Sequence, residues 1–111
     1  NFVKVPQRIA VRIALDPGFG FGKTLEHNYE LLFGLNKLSR LPYPVLAGLS
    51  RKSMVTKVLE VSPEEALTGT SLLNWIALSR GARILRVHDV RPAAEVIKLF
   101  TFTKNLELQV A

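Results

Sequence analysis

The stretch DPGFGFGKT, residues 16–24, follows a short apolar run and precedes a helical pattern, which predicts a strand, a loop and a helix in that order. A phosphate-binding P-loop would need a glycine in place of Pro17, a residue that has no backbone N–H to offer a phosphate. The dinucleotide pattern GxGxxG also fails, because Lys23 or Leu25 occupies the position of its third glycine. The glycines therefore form a loop of another kind.

Two further apolar runs end in polar residues in the same way. PVLAGLS occupies residues 44–50 and RILRVHD occupies residues 83–89, and a helical pattern follows each of them. Alternating strands and helices predict an α/β fold with a parallel sheet and right-handed crossovers. The first helix is predicted over residues 26–38, the next in RKSMVTKVL, and a further helical segment after the SPEE start at residues 62–65. Another helix is predicted to begin at Thr70 or Ser71 and to stop at Gly81, and the last covers residues 92–108.

The composition excludes several classes of protein. With 111 residues, of which 48% are hydrophobic and 22% charged, the chain can bury a core, which excludes an intrinsically disordered segment. No apolar run approaches the roughly 18 residues that span a bilayer, so we expect neither a transmembrane span nor a secretory signal. Cysteine is absent and histidine is rare, which excludes disulfides and thiolate metal sites. We expect one domain, or part of one, in the cytoplasm.

The net charge of +6 leaves several kinds of binding partner open. A nucleic-acid-binding module would cluster Lys and Arg for phosphate contacts, but here the basic residues are scattered along the chain. A doubly wound anion-binding domain would also carry polar residues at its strand ends. A pocket for an anionic small molecule explains the same charge.

Polar residues at the three strand ends form the candidate site. Asp16 ends the first strand, Lys52 follows the second, and Arg86 and His88 end the third. The carboxyl ends of adjacent parallel strands share one rim, so we expect these side chains to converge there. Arg86 and His88 are two residues apart and point to one side, as a donor pair for an anion such as phosphate. Ser53 begins a helical stretch and offers a hydroxyl and backbone N–H groups to a second anion.

Each of these features has a structural explanation when it is taken singly. An aspartate at a strand end is commonly a turn residue, and an isolated Arg-x-His pair is commonly a surface coincidence. The segment GFGFG fits a flexible turn whose Phe19 and Phe21 fill the core. Polar residues at three strand ends of one chain favour one shared site over three unrelated coincidences.

The strings LDPGFGFGKT, GLSRKSM and RVHDV, in this order and spacing, resemble the C-terminal half of dihydropteroate synthase, over about Ile13 to Phe100. The resemblance implies that residues 1–111 are the C-terminal part of a single pterin-binding (β/α)8 barrel domain, with three βα units and no N-terminal half. A barrel needs roughly 250 residues, so these units leave two open sheet edges. We expect the fragment alone to be inactive.

The resemblance also implies a reaction and its partners. The family is a transferase that joins 6-hydroxymethyl-7,8-dihydropterin pyrophosphate to p-aminobenzoate, giving 7,8-dihydropteroate and pyrophosphate in folate biosynthesis, and it is the target of sulfonamides. Mg²⁺ assists, with its ligand expected in the absent half, so no metal ligand is expected in this chain. A homodimer is implied, and neither nucleic acid nor a membrane is expected as a partner.

Residue by residue, the resemblance implies catalytic roles for Arg86, His88 and Lys52. Asp16 would accept hydrogen bonds from the amino-pyrimidine edge of the pterin, and Lys52 would donate to the pterin carbonyl. Arg86 and His88 would hold the pyrophosphate, which agrees with the donor pair inferred from their spacing.

The p-aminobenzoate has its own implied contacts. Gly20 and Phe21 would border its ring, and Ser53, near Arg51, would receive its carboxylate. In this interpretation the glycine loop is a wall for a flat aromatic substrate, and it does not cradle phosphate.

Overall fold

The computed structural model describes residues 1–6, 13–20 and 22–110 of the chain. In these residues short strands alternate with helices. None of the helices in the described residues combines the length and the apolar character needed to cross a bilayer. The elements are β1 (Phe2–Lys4), α1 (Leu25–Phe33), α2 (Leu35–Leu38), β2 (Val45–Ala47), α3 (Ser53–Leu59), α4 (Leu67–Ser79), β3 (Ala82–Arg86) and α5 (Val90–Val110), with a 3-10 turn at Pro63–Glu65.

The strands form one mixed sheet in the order β1-β3-β2. β2 and β3 are parallel, with Leu46 opposite Ile84, and Leu15 continues the parallel pairing through a bridge to Val45. The parallel pairing predicted for the three strands is therefore present among the described residues. Within the described part of the first predicted strand, Leu15 makes this bridge, and residues 11–12 of that strand lie outside the described residues.

The expectation of a purely parallel sheet is wrong, because β1 pairs antiparallel with β3. Val3 lies opposite Leu85, and the backbone N–H of Val87 donates to the carbonyl of Asn1 at 2.8 Å. β1 thereby satisfies the backbone groups along the edge of β3 that was expected to be open. A strand of this length has no periodic pattern of its own, so only its neighbour decides where it pairs.

A glycine interrupts the first predicted helix. The pattern over residues 26–38 predicts one helix, but the structure has α1 and α2 with Gly34 between them. The N–H of Gly34 donates into the last turn of α1, whose hydrogen bonds end there. Leu32 and Leu35 are both fully buried, so the apolar spacing continues through the break and spacing alone does not reveal it.

The later helices begin earlier than predicted. α4 starts at Leu67 and not at residues 70–71, because the N–H of Thr70 already donates to the carbonyl of Ala66 at 2.9 Å. The SPEE segment forms a short 3-10 turn in place of a long helix, with Ser62 as its N-cap residue, and the Ser62 N–H donates to Glu65 Oε1 at 3.2 Å. α5 also starts ahead of its predicted boundary, at Val90.

The core lies between the sheet and the helices. β2 is buried along its whole length, and α4 and α5 pack together through an edge-to-face contact of Trp75 and Phe100 at 5.2 Å. Strands covered on both faces can present polar side chains only where they end. The site therefore lies at the carboxyl ends of β2 and β3.

Candidate active site

The ends of β2 and β3 border a cavity of about 280 Å³. Three side chains that the sequence predicts as site residues line it: Lys52, Arg86 and His88. The structure thus brings donors from two strand ends around one space, an arrangement suited to an anion. The other lining residues are Asn1, Gly48, Ser50 and Val87.

Asp16 joins this group through an ion pair with Arg86. Arg86 Nη1 lies 2.8 Å from Asp16 Oδ2, and the N–H of Gly18 donates to Asp16 Oδ1 at 2.9 Å. Burial acts to raise the pKa of the Asp16 carboxyl, but the Gly18 N–H, Arg86 and Lys52 outweigh it and hold this pKa below its ordinary value of 3.8. Asp16 is therefore ionised at neutral pH.

Arg86 reaches Asp16 by crossing Gly48. A Cβ atom at position 48 would lie 2.5 Å from Arg86 Nη2 and 3.0 Å from its Cζ, closer than real contacts allow. Glycine is therefore required at the end of β2 if the guanidinium is to stay in place. The sequence prediction did not single out Gly48, since its role depends on which side chain of the neighbouring strand crosses it.

Lys52 connects the cavity to the glycine loop. Its Nζ donates to the carbonyl of Phe19 at 2.8 Å. A Cβ atom added at Gly20 would lie 3.5 Å from Lys52 Cδ, so the lysine stem runs close to the loop at this position. Burial lowers the pKa of the Lys52 ammonium below its ordinary value of 10.5, and Arg86 lowers it further against the opposing effect of Asp16.

Asn28 of α1 binds the backbone of the glycine loop through two hydrogen bonds. Its Oδ1 accepts from the N–H of Gly20 at 2.8 Å, and its Nδ2 donates to the carbonyl of Thr24 at 3.1 Å. Asn28 is 1% exposed, and the sequence prediction missed it. Its position on the same helical face as Leu32 was an available signal, because a polar residue in an apolar stripe needs a buried partner.

The loop backbone and its aromatic residues have separate roles. Gly18 and Gly20 have φ values of +74° and +89°, a region that favours glycine. Between them Phe19 is 1% exposed and fills the core. Phe21, predicted to border p-aminobenzoate, lies outside the described residues.

Arg51 and Ser53 are not among the described residues that line this cavity. Arg51 Nη2 pairs with Asp89 Oδ1 at 3.1 Å, and the Arg51 N–H donates to Thr70 Oγ1 at 3.1 Å. Ser53 is the first residue of α3 and is not among the described residues that line the cavity. Arg51 also has a φ of +56°, unusual outside glycine, and the two hydrogen bonds hold it in that conformation.

A divalent metal has no ready site among the described residues. Residues 1–6, 13–20 and 22–110 contain no group of three or more His, Cys, Asp or Glu side chains placed to hold an ion. Oxygen-rich clusters are what Mg²⁺ requires. The groups of the described residues do not fit such an ion by themselves.

The sequence pattern of the family described as "Pterin binding enzyme" matches residues 8–88. The chain belongs to this family. Its relatives include the dihydropteroate synthase of Haemophilus influenzae, 48% identical over 90 residues, which make up 81% of this chain and 33% of the relative. The dihydropteroate synthase of Escherichia coli K12 is 46% identical over 92 residues, 83% of this chain and 33% of the relative. The predicted resemblance to dihydropteroate synthase is confirmed.

Solved structures agree with the family assignment. The Yersinia pestis dihydropteroate synthase with a sulfonamide drug complex matches with a TM-score of 0.81 and 45% identity, over 84% of this chain and 34% of that chain. The Coxiella burnetii dihydropteroate synthase in complex with pteroic acid matches with a TM-score of 0.81 and 42% identity, over 86% of this chain and 35% of that chain. The described α/β fold is thus that of part of a dihydropteroate synthase, and the chain spans about a third of the length of its relatives.

Proposed function

We propose that this chain supplies the pterin and pyrophosphate contacts of a dihydropteroate synthase, a transferase that forms a C–N bond. The observation that carries the proposal is the convergence of Lys52, Arg86 and His88 on one cavity, with Asp16 bonded to Arg86. An anionic carboxylate and several donors around one space suit a substrate that has a planar polar ring at one end and a diphosphate at the other.

Asp16 and Lys52 would bind the pterin ring. Each carboxylate oxygen of Asp16 already accepts one hydrogen bond and has capacity for another. A lowered pKa keeps the carboxyl ionised, so it can accept from the two adjacent N–H donors of an amino-pyrimidine edge. Lys52, in contact with the glycine loop, would donate to the pterin carbonyl from the other side.

Arg86 and His88 would hold the pyrophosphate as it leaves. When the C–O bond breaks, negative charge accumulates on the departing diphosphate, and preorganised donors lower the barrier most where that charge develops. The amine of p-aminobenzoate then forms the C–N bond on the carbon that the diphosphate has left, and it gives up one proton, which the departing diphosphate can accept. No protein nucleophile is needed, so positioning and electrostatic stabilisation carry the reaction.

Fewer observed contacts support the proposed binding of p-aminobenzoate. Gly20 and Phe21 would border the ring; for Gly20 this is supported by the closeness of the Lys52 stem, whose Cδ would lie 3.5 Å from a Cβ added there. Ser53, at the start of α3, and Arg51 would receive the carboxylate. This role for Arg51 requires it to exchange its ion pair with Asp89 for the substrate.

The wider architecture belongs to the same proposal. Residues 1–111 would form the C-terminal three βα units of a pterin-binding (β/α)8 barrel domain, whose remaining strands and Mg²⁺ ligand come from the other two thirds of the family's length. The barrel would act as a homodimer in the cytoplasm. The chain covers a third of each relative, which supports the proposal that it is one part of a longer barrel domain.

Calorimetric titration with pterin pyrophosphate tests the function directly. Arg86→Ala should weaken binding about 10- to 100-fold, because a charge-assisted contact is lost. Arg83→Ala, an exposed arginine on the same strand, is the matched control and should leave binding unchanged. Titration with duplex DNA at two salt concentrations is the counter-test. Salt-dependent DNA binding without any response to the pterin would refute the proposal and favour a nucleic-acid module.

A chimera tests turnover. In it, this chain replaces the matching third of the Escherichia coli relative. Arg86→Ala in the chimera should reduce turnover far more than it weakens p-aminobenzoate binding. Equal turnover of the chimera with and without this substitution would remove Arg86 from the reaction.

A further inference from the structure

Ser50 links the ends of β2 and β3 through a single hydroxyl group. It is 6% exposed, and its Oγ lies 3.3 Å from the backbone nitrogen of His88 and 2.8 Å from His88 Nδ1. One buried side chain therefore contacts both the backbone and the ring of a residue that lines the cavity.

A count of protons and lone pairs decides the direction of the ring contact. The backbone N–H of His88 can only donate, so it uses one lone pair of Ser50 Oγ. If Nδ1 also donated, the Ser50 hydroxyl proton would need another acceptor, and the described residues give it none. A buried donor without an acceptor is unfavourable. The hydroxyl proton therefore goes to Nδ1.

We propose that Ser50 is a positioning residue that holds His88 as the neutral tautomer with its proton on Nε2. This leaves Nε2–H as an oriented donor beside Arg86 and Lys52, the groups that share the cavity with His88. The role in catalysis rests on the proposed function, since the anion that Nε2–H would meet is the pyrophosphate. The tautomer itself is a property of the folded chain and needs no substrate.

Long-range ¹H–¹⁵N spectra of the ¹⁵N-labelled chain, at a pH of about 9 where an imidazole is neutral, test the tautomer. His88 should show a protonated Nε2 and an unprotonated, hydrogen-bonded Nδ1. The chain has 2 histidines, both of them exposed, and Ser50 Oγ lies against the ring of His88, so His27 provides an internal reference in the same spectrum. A His88 with its proton on Nδ1 would overturn the proposal.

Three variants separate positioning from general loosening of the fold. Ser50→Ala should bring the tautomer ratio and the Nδ1 shift of His88 to those of His27, whereas Ser50→Thr, which keeps the hydroxyl, should retain the wild-type pattern. Thr70→Val removes another buried hydroxyl nearby, one that binds Arg51 and not His88, and should leave the His88 spectrum unchanged. A change of equal size in Thr70→Val would refute a specific role for Ser50.

Titration with inorganic pyrophosphate then connects the tautomer to the proposed function. Ser50→Ala should weaken pyrophosphate binding about fivefold, the typical effect of one hydrogen bond. If the spectra are as expected but the wild-type chain does not bind pyrophosphate, the positioning role stands and the proposed function fails. If Ser50→Ala binds pyrophosphate as the wild type does, despite an altered tautomer, Ser50 has no positioning role for the anion.

Discussion

Replacing Gly48 with alanine is expected to displace Arg86 while leaving the fold intact. The new Cβ would lie 2.5 Å from Arg86 Nη2, so the guanidinium must move by about 1 Å to reach a normal van der Waals distance. That displacement breaks the 2.8 Å contact with Asp16. The clash involves the far end of a flexible side chain, and the backbone of β2 and β3 can stay where it is.

The expected cost in stability is small and the cost in binding is large. The Arg86–Asp16 pair is more than a third exposed on both sides, so its loss should lower the free energy of unfolding by only about 0–1 kcal/mol. A charge-assisted hydrogen bond to a bound anion contributes about 1.5–3 kcal/mol. Pyrophosphate affinity should therefore fall roughly 10- to 100-fold.

Urea denaturation and calorimetric titration with pyrophosphate measure the two effects. A double-mutant cycle adds the decisive comparison, because Gly48→Ala should cause no further loss of affinity in a protein that already carries Arg86→Ala. Affinity within twofold of wild type for Gly48→Ala would refute the reasoning, as would two independent losses in the cycle.

Gly69→Ala provides a matched control. A Cβ atom there would overlap Val55 and approach Leu59 Cδ1 at 2.8 Å, between α3 and α4. Val55 is 2% exposed and has no room to move, so overpacking should lower the free energy of unfolding by about 1–3 kcal/mol. The folded fraction of this variant should bind pyrophosphate normally, the reverse of the pattern expected for Gly48→Ala.

Substitutions at three further residues test individual contacts. Asn28→Ala should lower the free energy of unfolding by about 1–3 kcal/mol in urea, and it should speed amide exchange at Gly20, whereas Asn28→Asp keeps the acceptor and should preserve that protection. The pKa of Asp16 is lowered in the folded chain, so the stabilising effect of its carboxylate is present above the ordinary pKa of 3.8 and is lost as pH falls through the folded pKa. When the free energy of unfolding in urea is measured from about pH 5 downward, it should depend less on pH in Asp16→Asn than in the wild type. Tyr29→Phe removes the hydroxyl that donates to the carbonyl of Met54 and should cost about 1 kcal/mol, with unchanged pyrophosphate binding as its control.

Much of the candidate site follows from the order of residues along the chain. Asp16, Lys52 and the Arg86/His88 pair lie at or just after the ends of apolar runs, and parallel strands joined by helices end at one rim. Once the strands are recognised, the convergence of these side chains is a consequence of connectivity. The spacing of the three motifs likewise identifies the family.

Other parts of the site depend on contacts that no local pattern contains. Whether a glycine matters, as Gly48 does, depends on the arginine that crosses it from the next strand. Ser50 and Asn28 matter because the fold brings His88 and the Gly20 N–H to their buried polar groups. The antiparallel pairing of β1 is of the same kind, since an edge strand takes its place from its neighbour's free hydrogen bonds.

By itself, therefore, the sequence determined the strand and helix types, the family and the set of charged groups at the strand ends, because these depend on residue type and short-range spacing. Only the tertiary structure decided which strand covers β3, that Arg86 crosses Gly48, and that the buried Ser50 contacts His88. These depend on distances between residues far apart in the chain, and packing sets such distances after the local preferences have been satisfied.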